Sequence, residues 1–209
     1  IQTGLGVPND LLDRDELSTR FPSLYVGDVD AAIHGPQDGF IDPHAAVTGF
    51  RRKATNLGVT YIKDKVVDIQ VSGGLARAVV LGSGEIISSD IIVNVAGAWG
   101  PEICAMVGME VPVQPLSRNT FYFEIQGEVE TMPLTKDPGG IAFRQEGAGF
   151  TVGLTDTDVA FGFNWEVDHD LFESRFWPVL AHRVPAFEAL QVKRGGAGRY
   201  DWRAEKNHV

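Results

Sequence analysis

The sequence predicts a mixed fold, in which an α/β part is followed by an α+β part built on an antiparallel sheet. Two observations support this class. The apolar run from Ile91 to Val95 leads through Ala96-Gly97-Ala98 into a predicted helix, an arrangement typical of α/β folds. After Pro112 the pattern changes to longer strands and one long helix, so we expect a boundary near Pro112.

The first part begins with two predicted helices. Asn9 to Arg20 carries leucines among charged residues and ends before a proline, whereas residues 27–39 are expected to form loops or short extended pieces. In the second helix, Asp42 suits the N-cap, Pro43 the first turn and Gly58 the C-terminal end.

The hydrophobic period then changes to that of strands. We predict strands at Val59 to Ile62, Val66 to Val71, Ala76 to Leu81 and Glu85 to Ser88. The turn Gly82-Ser83-Gly84 joins the last two strands, which predicts a β-meander. Ile91 to Val95 is predicted to be a strand covered on both faces, and a helix is predicted over Pro101 to Val107.

The second part is expected to contain the antiparallel sheet. Its predicted strands are Thr120 to Ile125, Ile141 to Gln145 and Phe150 to Leu154, the last two forming a hairpin. A helix is predicted over Asp168 to Arg183, with a kink or break at Pro178. The last strand is expected over Leu190 to Lys193, and residues 195–198 are expected to be irregular because three of the four are glycine.

Composition and charge exclude several classes of function. The 209 residues are 44% hydrophobic and 22% charged, which is typical of a globular protein. The net charge is −10 and no segment concentrates Lys and Arg, so we expect neither a nucleic-acid partner nor an anionic membrane surface. Cys104 is the only cysteine, which agrees with a reducing compartment, and no apolar run is long enough to span a membrane; we expect a cytoplasmic protein.

The sequence lacks the motifs of the common catalytic classes. Gly4-Leu5-Gly6 has no third glycine to complete GxGxxG, and no GxSxG elbow is present, so no catalytic residue is assigned. The histidines are scattered, and we predict no metal site. Asp156-Thr157-Asp158 and Asp168-His169-Asp170 have oxygen ligands for a cation, but we interpret them as a solvated loop and a helix cap.

An ordered series of segments resembles a known protein family. The series consists of Gly39-Phe40-Ile41-Asp42-Pro43, Leu57-Gly58-Val59, Lys65 to Ile69, the meander and Asp90 to Trp99. It continues with Pro112-Val113-Gln114-Pro115, Arg118 and the hairpin from Gly140 to Gly153. Together these segments resemble the FAD-dependent oxidoreductases of the D-amino-acid oxidase, glycine oxidase and sarcosine oxidase group.

The resemblance implies a domain organisation. Residues 39–111 would be a partial FAD-binding, Rossmann-like domain with the β-meander, and residues 112–200 an antiparallel substrate-binding domain. Residues 1–38 would be a lead-in helix and loop that belong with the substrate domain, and residues 201–209 a tail. The family's N-terminal GxGxxG unit and C-terminal FAD segment are not present, so we expect this chain to be the middle fragment of such a protein.

The resemblance also implies FAD as the cofactor. The backbone of Val66 would lie against the adenine, Ala96 and Gly97 would let FAD approach because their side chains are small, and Trp99 would pack beside the cofactor. The alternative for Trp99 is a core aromatic. We expect FAD in the full-length protein and weak or absent binding by this chain alone, which lacks the phosphate loop.

The same resemblance implies a small amine or amino-acid substrate. Arg118, Tyr122 and Arg144 are the candidate substrate-binding residues, because a guanidinium and a phenol suit a carboxylate; the alternative for the arginines is a surface salt bridge. The expected reaction is oxidation of an amino acid or secondary amine by hydride transfer to flavin N5, which needs no protein nucleophile.

Two other interpretations stay open. The protein could instead be a non-catalytic flavoprotein scaffold or assembly factor that acts through a protein partner. The isolated chain could also be inactive, and an exposed apolar strand edge would then favour a homo-oligomer or poor solution behaviour.

Overall fold

The chain forms two compact units. The computed structural model describes residues 3–154 and 161–203. Unit 1 consists of Ile1–Phe40, Arg118–Asp158 and Trp165–Gly198, and unit 2 of Ile41–Ser117, Val159–Asn164 and Arg199–Val209. Both units combine helices with antiparallel sheets, as the sequence predicts.

Unit 1 begins with a small two-stranded sheet. Its elements are β1 (Asp10–Asp13), α1 (Arg14–Arg20) and β2 (Ala31–His34), with β1 antiparallel to β2. The helix predicted over Asn9 to Arg20 is therefore wrong in its N-terminal part. The Asp13 carboxylate accepts a hydrogen bond from the Glu16 N–H, and the Glu16 carboxylate accepts one from the Asp13 N–H. This capping box makes the helix begin after Asp13 and leaves the preceding residues to pair as a strand.

The main sheet has five strands in the order β10-β6-β9-β8-β7. The strands are β6 (Val113–Glu124), β7 (Thr135–Lys136), β8 (Ile141–Glu146), β9 (Gly149–Leu154) and β10 (Gln191–Arg203). The prediction that residues 195–198 are irregular is wrong, because they lie inside β10. A Cβ at Gly195 would lie 2.6 Å from Val167 Cγ1 and 3.1 Å from Phe121 Cε1. Close packing therefore accounts for this glycine.

A helical segment packs against one face of this sheet. It consists of α4 (His169–Leu171), a π-helical turn (Phe172–Phe176) and α5 (Trp177–Arg183). The predicted disturbance at Pro178 is thus a change of helix type directly before it, with the proline in the first turn of α5, where its missing N–H is tolerated. The sheet and the helix share a fully buried core of Phe121, Phe123, Phe143, Val152, Phe176, Leu180 and Phe187.

Unit 2 contains the predicted long helix and the predicted meander. Its elements are α2 (Pro43–Asn56), β3 (Val66–Ser72), β4 (Leu75–Leu81), β5 (Ile86–Ser88) and α3 (Gly100–Ala105), with the strand order β3-β4-β5. The Asp42 carboxylate accepts a hydrogen bond from the Ala45 N–H at 3.0 Å and caps α2 as predicted. Gly58, with φ +95°, follows the end of the helix.

Two strands predicted in unit 2 do not form. Residues 59–62 and 91–95 lie outside every strand of the described part of the chain. Ile91, Val93 and Val95 are 78%, 74% and 86% exposed, so the prediction of a buried strand is wrong here. Their β-branched side chains favour extended backbone, but a strand inside a sheet also needs neighbouring strands, and the described residues provide none at this position.

Candidate functional site

Three of the four predicted cofactor residues line one open cavity in unit 2. Val66, Ala96 and Trp99 border this cavity of about 690 Å³, which we call the Val66 cavity. The other lining residues are Lys65, Val67, Glu102, Ile103 and Met106. A mainly apolar lining with two charged residues at hand suits an aromatic ring that carries a few polar groups.

Gly97, the fourth predicted cofactor residue, lies in a neighbouring depression of unit 2 that also includes Ala96, Asn94 and Cys104. Its φ of +55° is in the left-handed region, so a side chain there would strain the backbone. No atom lies within 4 Å of the position that a Cβ would take. The backbone at Gly97 is therefore open to close approach.

Asn94 fixes the turn that carries Ala96 and Gly97. Its side-chain oxygen accepts a hydrogen bond from the Ala96 N–H at 3.1 Å, and its amide donates to the Gly100 carbonyl at 2.9 Å and contacts Cys104 Sγ at 3.3 Å. This role was not predicted. The signal in the sequence is the one polar residue that interrupts the apolar run from Ile91 to Val95.

Tyr122 and Arg144, two of the predicted substrate residues, lie in one row across three strands of unit 1. Tyr122 on β6 is opposite Thr151 on β9, and Thr151 is opposite Arg144 on β8. Residues directly opposite each other project from the same face of a sheet. The neighbouring positions, such as Phe121 and Phe143, are fully buried in the core. The Tyr122–Thr151–Arg144 row therefore lies on the face away from the core.

The Arg144 guanidinium is held by three contacts. It lies over the Phe40 ring at 4.3 Å, its Nη2 is 2.9 Å from a carboxylate oxygen of Glu146, and its Nη1 donates to the Gln145 carbonyl. The side chain is only 21% exposed. A guanidinium has five N–H donors, more than the two polar contacts use, so Arg144 is both oriented and able to donate further.

Arg194 joins this row from β10. Its guanidinium lies over the Tyr122 ring at 4.6 Å and 3.5 Å from the other carboxylate oxygen of Glu146. The Tyr122 hydroxyl donates to Glu124 at 3.2 Å, and burial together with this carboxylate raises the pKa of the Tyr122 phenol, which therefore stays protonated. Arg194 was missed because the last strand was predicted to end at Lys193.

Arg118 is not in the Tyr122–Thr151–Arg144 row. It is half-buried on β6, four residues before Tyr122 and thus roughly 13 Å away along the strand. Between Arg118 and the Tyr122–Thr151–Arg144 row, the same sheet face carries a row of small residues: Thr120, Gly153 and Ala142. The sheet therefore has a shallow floor directly beside Tyr122 and Arg144.

Of the two acidic segments considered as cation sites, one is a helix cap. The Asp168 carboxylate accepts a hydrogen bond from the Leu171 N–H at 3.0 Å. Asp156-Thr157-Asp158 lies outside the described residues. Within residues 3–154 and 161–203, no cluster of three or more His, Cys, Asp or Glu side chains is arranged to hold a metal ion. In the same part of the chain, no helix has the length and apolar character needed to cross a membrane.

Comparison with known proteins establishes the family. The family model described as DAO, FAD dependent oxidoreductase, matches residues 2–208. The chain belongs to this FAD-dependent oxidoreductase family. Two curated members named FAD-dependent oxidoreductase domain-containing protein 1, from Xenopus laevis and Bos taurus, are 29% and 32% identical to it over 97% and 92% of the chain. Mitochondrial sarcosine dehydrogenase from Mus musculus is 26% identical over 90% of the chain.

This family member spans only part of its relatives. It covers 48% and 47% of the Xenopus and Bos proteins and 22% of the sarcosine dehydrogenase. Among solved structures, L-proline dehydrogenase from P. horikoshii matches with a TM-score of 0.89 and 24% identity, over 99% of this chain and 56% of that one. The match confirms the predicted fold class, and the family model confirms the resemblance.

Proposed function

We propose that the protein to which this chain belongs oxidises an amino acid or a secondary amine. FAD, when bound, provides a flavin N5 that accepts the substrate's hydride. Family membership supports the cofactor, and the relative named sarcosine dehydrogenase supports an N-substituted amino acid as the substrate class. The observation that carries the proposal is the Tyr122–Thr151–Arg144 row, which places an oriented guanidinium and a protonated phenol on one accessible sheet face.

Unit 2 is assigned to the cofactor. The Val66 cavity fits an aromatic ring, since Val66, Ala96 and Trp99 offer it apolar surface. The left-handed backbone and open space at Gly97 fit a group that approaches the main chain closely. The described lining contains one basic residue, Lys65, and one acidic residue, Glu102. This charge suits a ring better than a diphosphate, which would need more positive charge. We therefore assign a ring of FAD to this cavity, and the sheet of residues 112–200 to the substrate.

Each side chain of the row has a distinct part in substrate binding. Arg144 binds the substrate carboxylate through charge-assisted hydrogen bonds, while Phe40 and Glu146 keep its guanidinium oriented. Tyr122 stays protonated and its O–H donates to Glu124, so its oxygen accepts a hydrogen bond from the substrate's N–H. The small-residue floor of Thr120, Gly153 and Ala142 leaves room for the remainder of the substrate beside these two groups.

Anaerobic flavin reduction tests this proposal. The full gene product, loaded with FAD, is mixed without oxygen with amino acids and N-methyl amino acids, and with the 2-hydroxy acids of the same carbon skeletons as matched controls. The proposal expects at least one amine to bleach the visible flavin absorption, and its 2-hydroxy acid to leave it unchanged. No reduction by any amine would contradict the proposal and would favour the non-catalytic scaffold.

A further inference from the structure

Phe163 is a solvent-exposed aromatic residue that stacks on Trp99 in unit 2. The two ring centroids are 5.0 Å apart and the rings are inclined by 24°. Phe163 is 39% exposed and Trp99 43% exposed. Large aromatic surfaces left exposed side by side are typical of binding sites, because burying them against a ligand is favourable.

The backbone around Phe163 is held in place by the first half of β6. Leu116 pairs with Phe161 in an antiparallel bridge, and the Gly162 N–H donates to the Pro115 carbonyl at 2.8 Å. On the other side of Phe163, the Ser117 hydroxyl donates to the Asn164 carbonyl at 3.2 Å. Hydrogen bonds on both sides of Phe163 thus fix the position from which its ring meets Trp99.

Trp99 connects this stack to the Val66 cavity. Trp99 lines the cavity together with Ala96, whereas Phe163 is not part of the cavity lining. Trp99 is 43% exposed, so the protein encloses its side chain only in part. A ring stacked on the indole limits the rotamers that the side chain can adopt.

We propose that Phe163 is a positioning residue for the cofactor: it holds the Trp99 indole in the orientation in which it lines the Val66 cavity. The inference rests on the proposed assignment of this cavity to a ring of FAD. Phe163 comes from a different part of the chain than the residues that line the cavity. No hydrophobic period of a strand or a helix indicates it in the sequence. Loss of the stack should weaken FAD binding about two- to twelve-fold, which corresponds to about 0.5–1.5 kcal/mol for an aromatic pair.

FAD titration of the full gene product tests the inference. The dissociation constant is measured by flavin fluorescence, and the surroundings of the bound flavin by its visible circular dichroism. The variants are Phe163→Leu, Phe163→Tyr and, as a matched control in the same segment, Phe161→Leu, whose side chain is 49% exposed. We expect weaker binding and a changed dichroism for Phe163→Leu, and wild-type values for the other two.

Wild-type binding and dichroism in Phe163→Leu would overturn the inference, as would an equal loss in Phe161→Leu. A wild type that binds no FAD would overturn it together with the cofactor assignment. If the wild type binds FAD and no amine reduces it, the proposed function fails, and the comparison of these variants still decides the role of Phe163.

Discussion

Replacing Arg183 by methionine is expected to destabilise the protein by about 3–5 kcal/mol. Arg183 is the centre of a charge cluster in unit 1. Its Nε donates to Asp137 at 2.5 Å, its two Nη atoms donate to the carboxylate oxygens of Asp28 at 2.8 Å and 3.1 Å, and Nη1 also donates to the Tyr25 carbonyl. The cluster therefore ties the segment before β2 and the segment before β8 to the end of α5.

The magnitude follows from the burial of Asp137. The side chains of Arg183 and Asp137 are 6% and 4% exposed, whereas that of Asp28 is 44% exposed. Without Arg183, water can solvate the exposed Asp28, whereas the buried Asp137 carboxylate keeps the Gly139 N–H, at 2.6 Å, but has lost its cation. A buried carboxylate without its cation accounts for the cost of about 3–5 kcal/mol, or a melting temperature lower by roughly 6–20 °C for a chain of this size.

Urea and thermal unfolding of wild type and variants measure this cost. The matched control is Arg14→Met, because the Arg14–Asp30 pair, at 3.3 Å, is 49% and 105% exposed. Its loss should cost less than about 1 kcal/mol. The double variant with Asp137→Asn should recover part of the loss, since no buried charge then stays unpaired. An Arg183→Met cost no larger than that of Arg14→Met would refute the reasoning.

Three further predictions concern stability. The Arg183 guanidinium holds the pKa of Asp28 well below its usual 3.8. The stability that this ion pair contributes is therefore complete above pH 3.8 and is lost as the pH falls below that value. Between about pH 5 and pH 3 the urea midpoint of wild type should fall more than that of Asp28→Asn, and equal falls would contradict this. Phe187→Ala should lower the free energy of unfolding in urea by about 3–5 kcal/mol. The fully buried Phe187 ring contacts three other phenylalanines at centroid distances of 5.1, 5.7 and 4.7 Å. A cost below about 1 kcal/mol would count against the core described. Gly195→Ala should lower the free energy of unfolding by about 1–3 kcal/mol, because the new Cβ would be overpacked. Gly196→Ala should be close to neutral, because no atom lies within 4 Å of its Cβ position. Equal melting temperatures for the two variants would contradict the packing explanation.

Local signals in the sequence predicted much of the fold. The N-cap Asp42 and the glycine turn between β4 and β5 act through neighbouring residues, and the structure confirms both. The wrong predictions depend on distant residues. Ile91 to Val95 has strand composition, but no strand in the described residues pairs with it. The strand that contains Gly195 forms by pairing with β6, which is remote in sequence.

The candidate site was predictable to a similar extent. The resemblance to the family indicated Tyr122 and Arg144, but their common row depends on the register of both strands with Thr151, which one strand alone does not determine. Arg194 was missed because the glycines that follow it led to the prediction of an irregular segment, whereas the residue lies in a strand. Phe163 lies outside regular elements, and only the folded chain brings it to Trp99.

The most direct test of the central claim is whether Arg144 recognises a substrate carboxylate. The rate constant of anaerobic flavin reduction, divided by the substrate's dissociation constant, is measured for an amino acid that reduces the flavin and for its amide. Wild type, Arg144→Met and the exposed control Arg52→Met are compared. We predict that wild type and Arg52→Met prefer the acid by about 10- to 100-fold, the value of hydrogen bonds to a charged group, and that Arg144→Met loses this preference. An undiminished preference in Arg144→Met would contradict the assignment of this sheet face to the substrate.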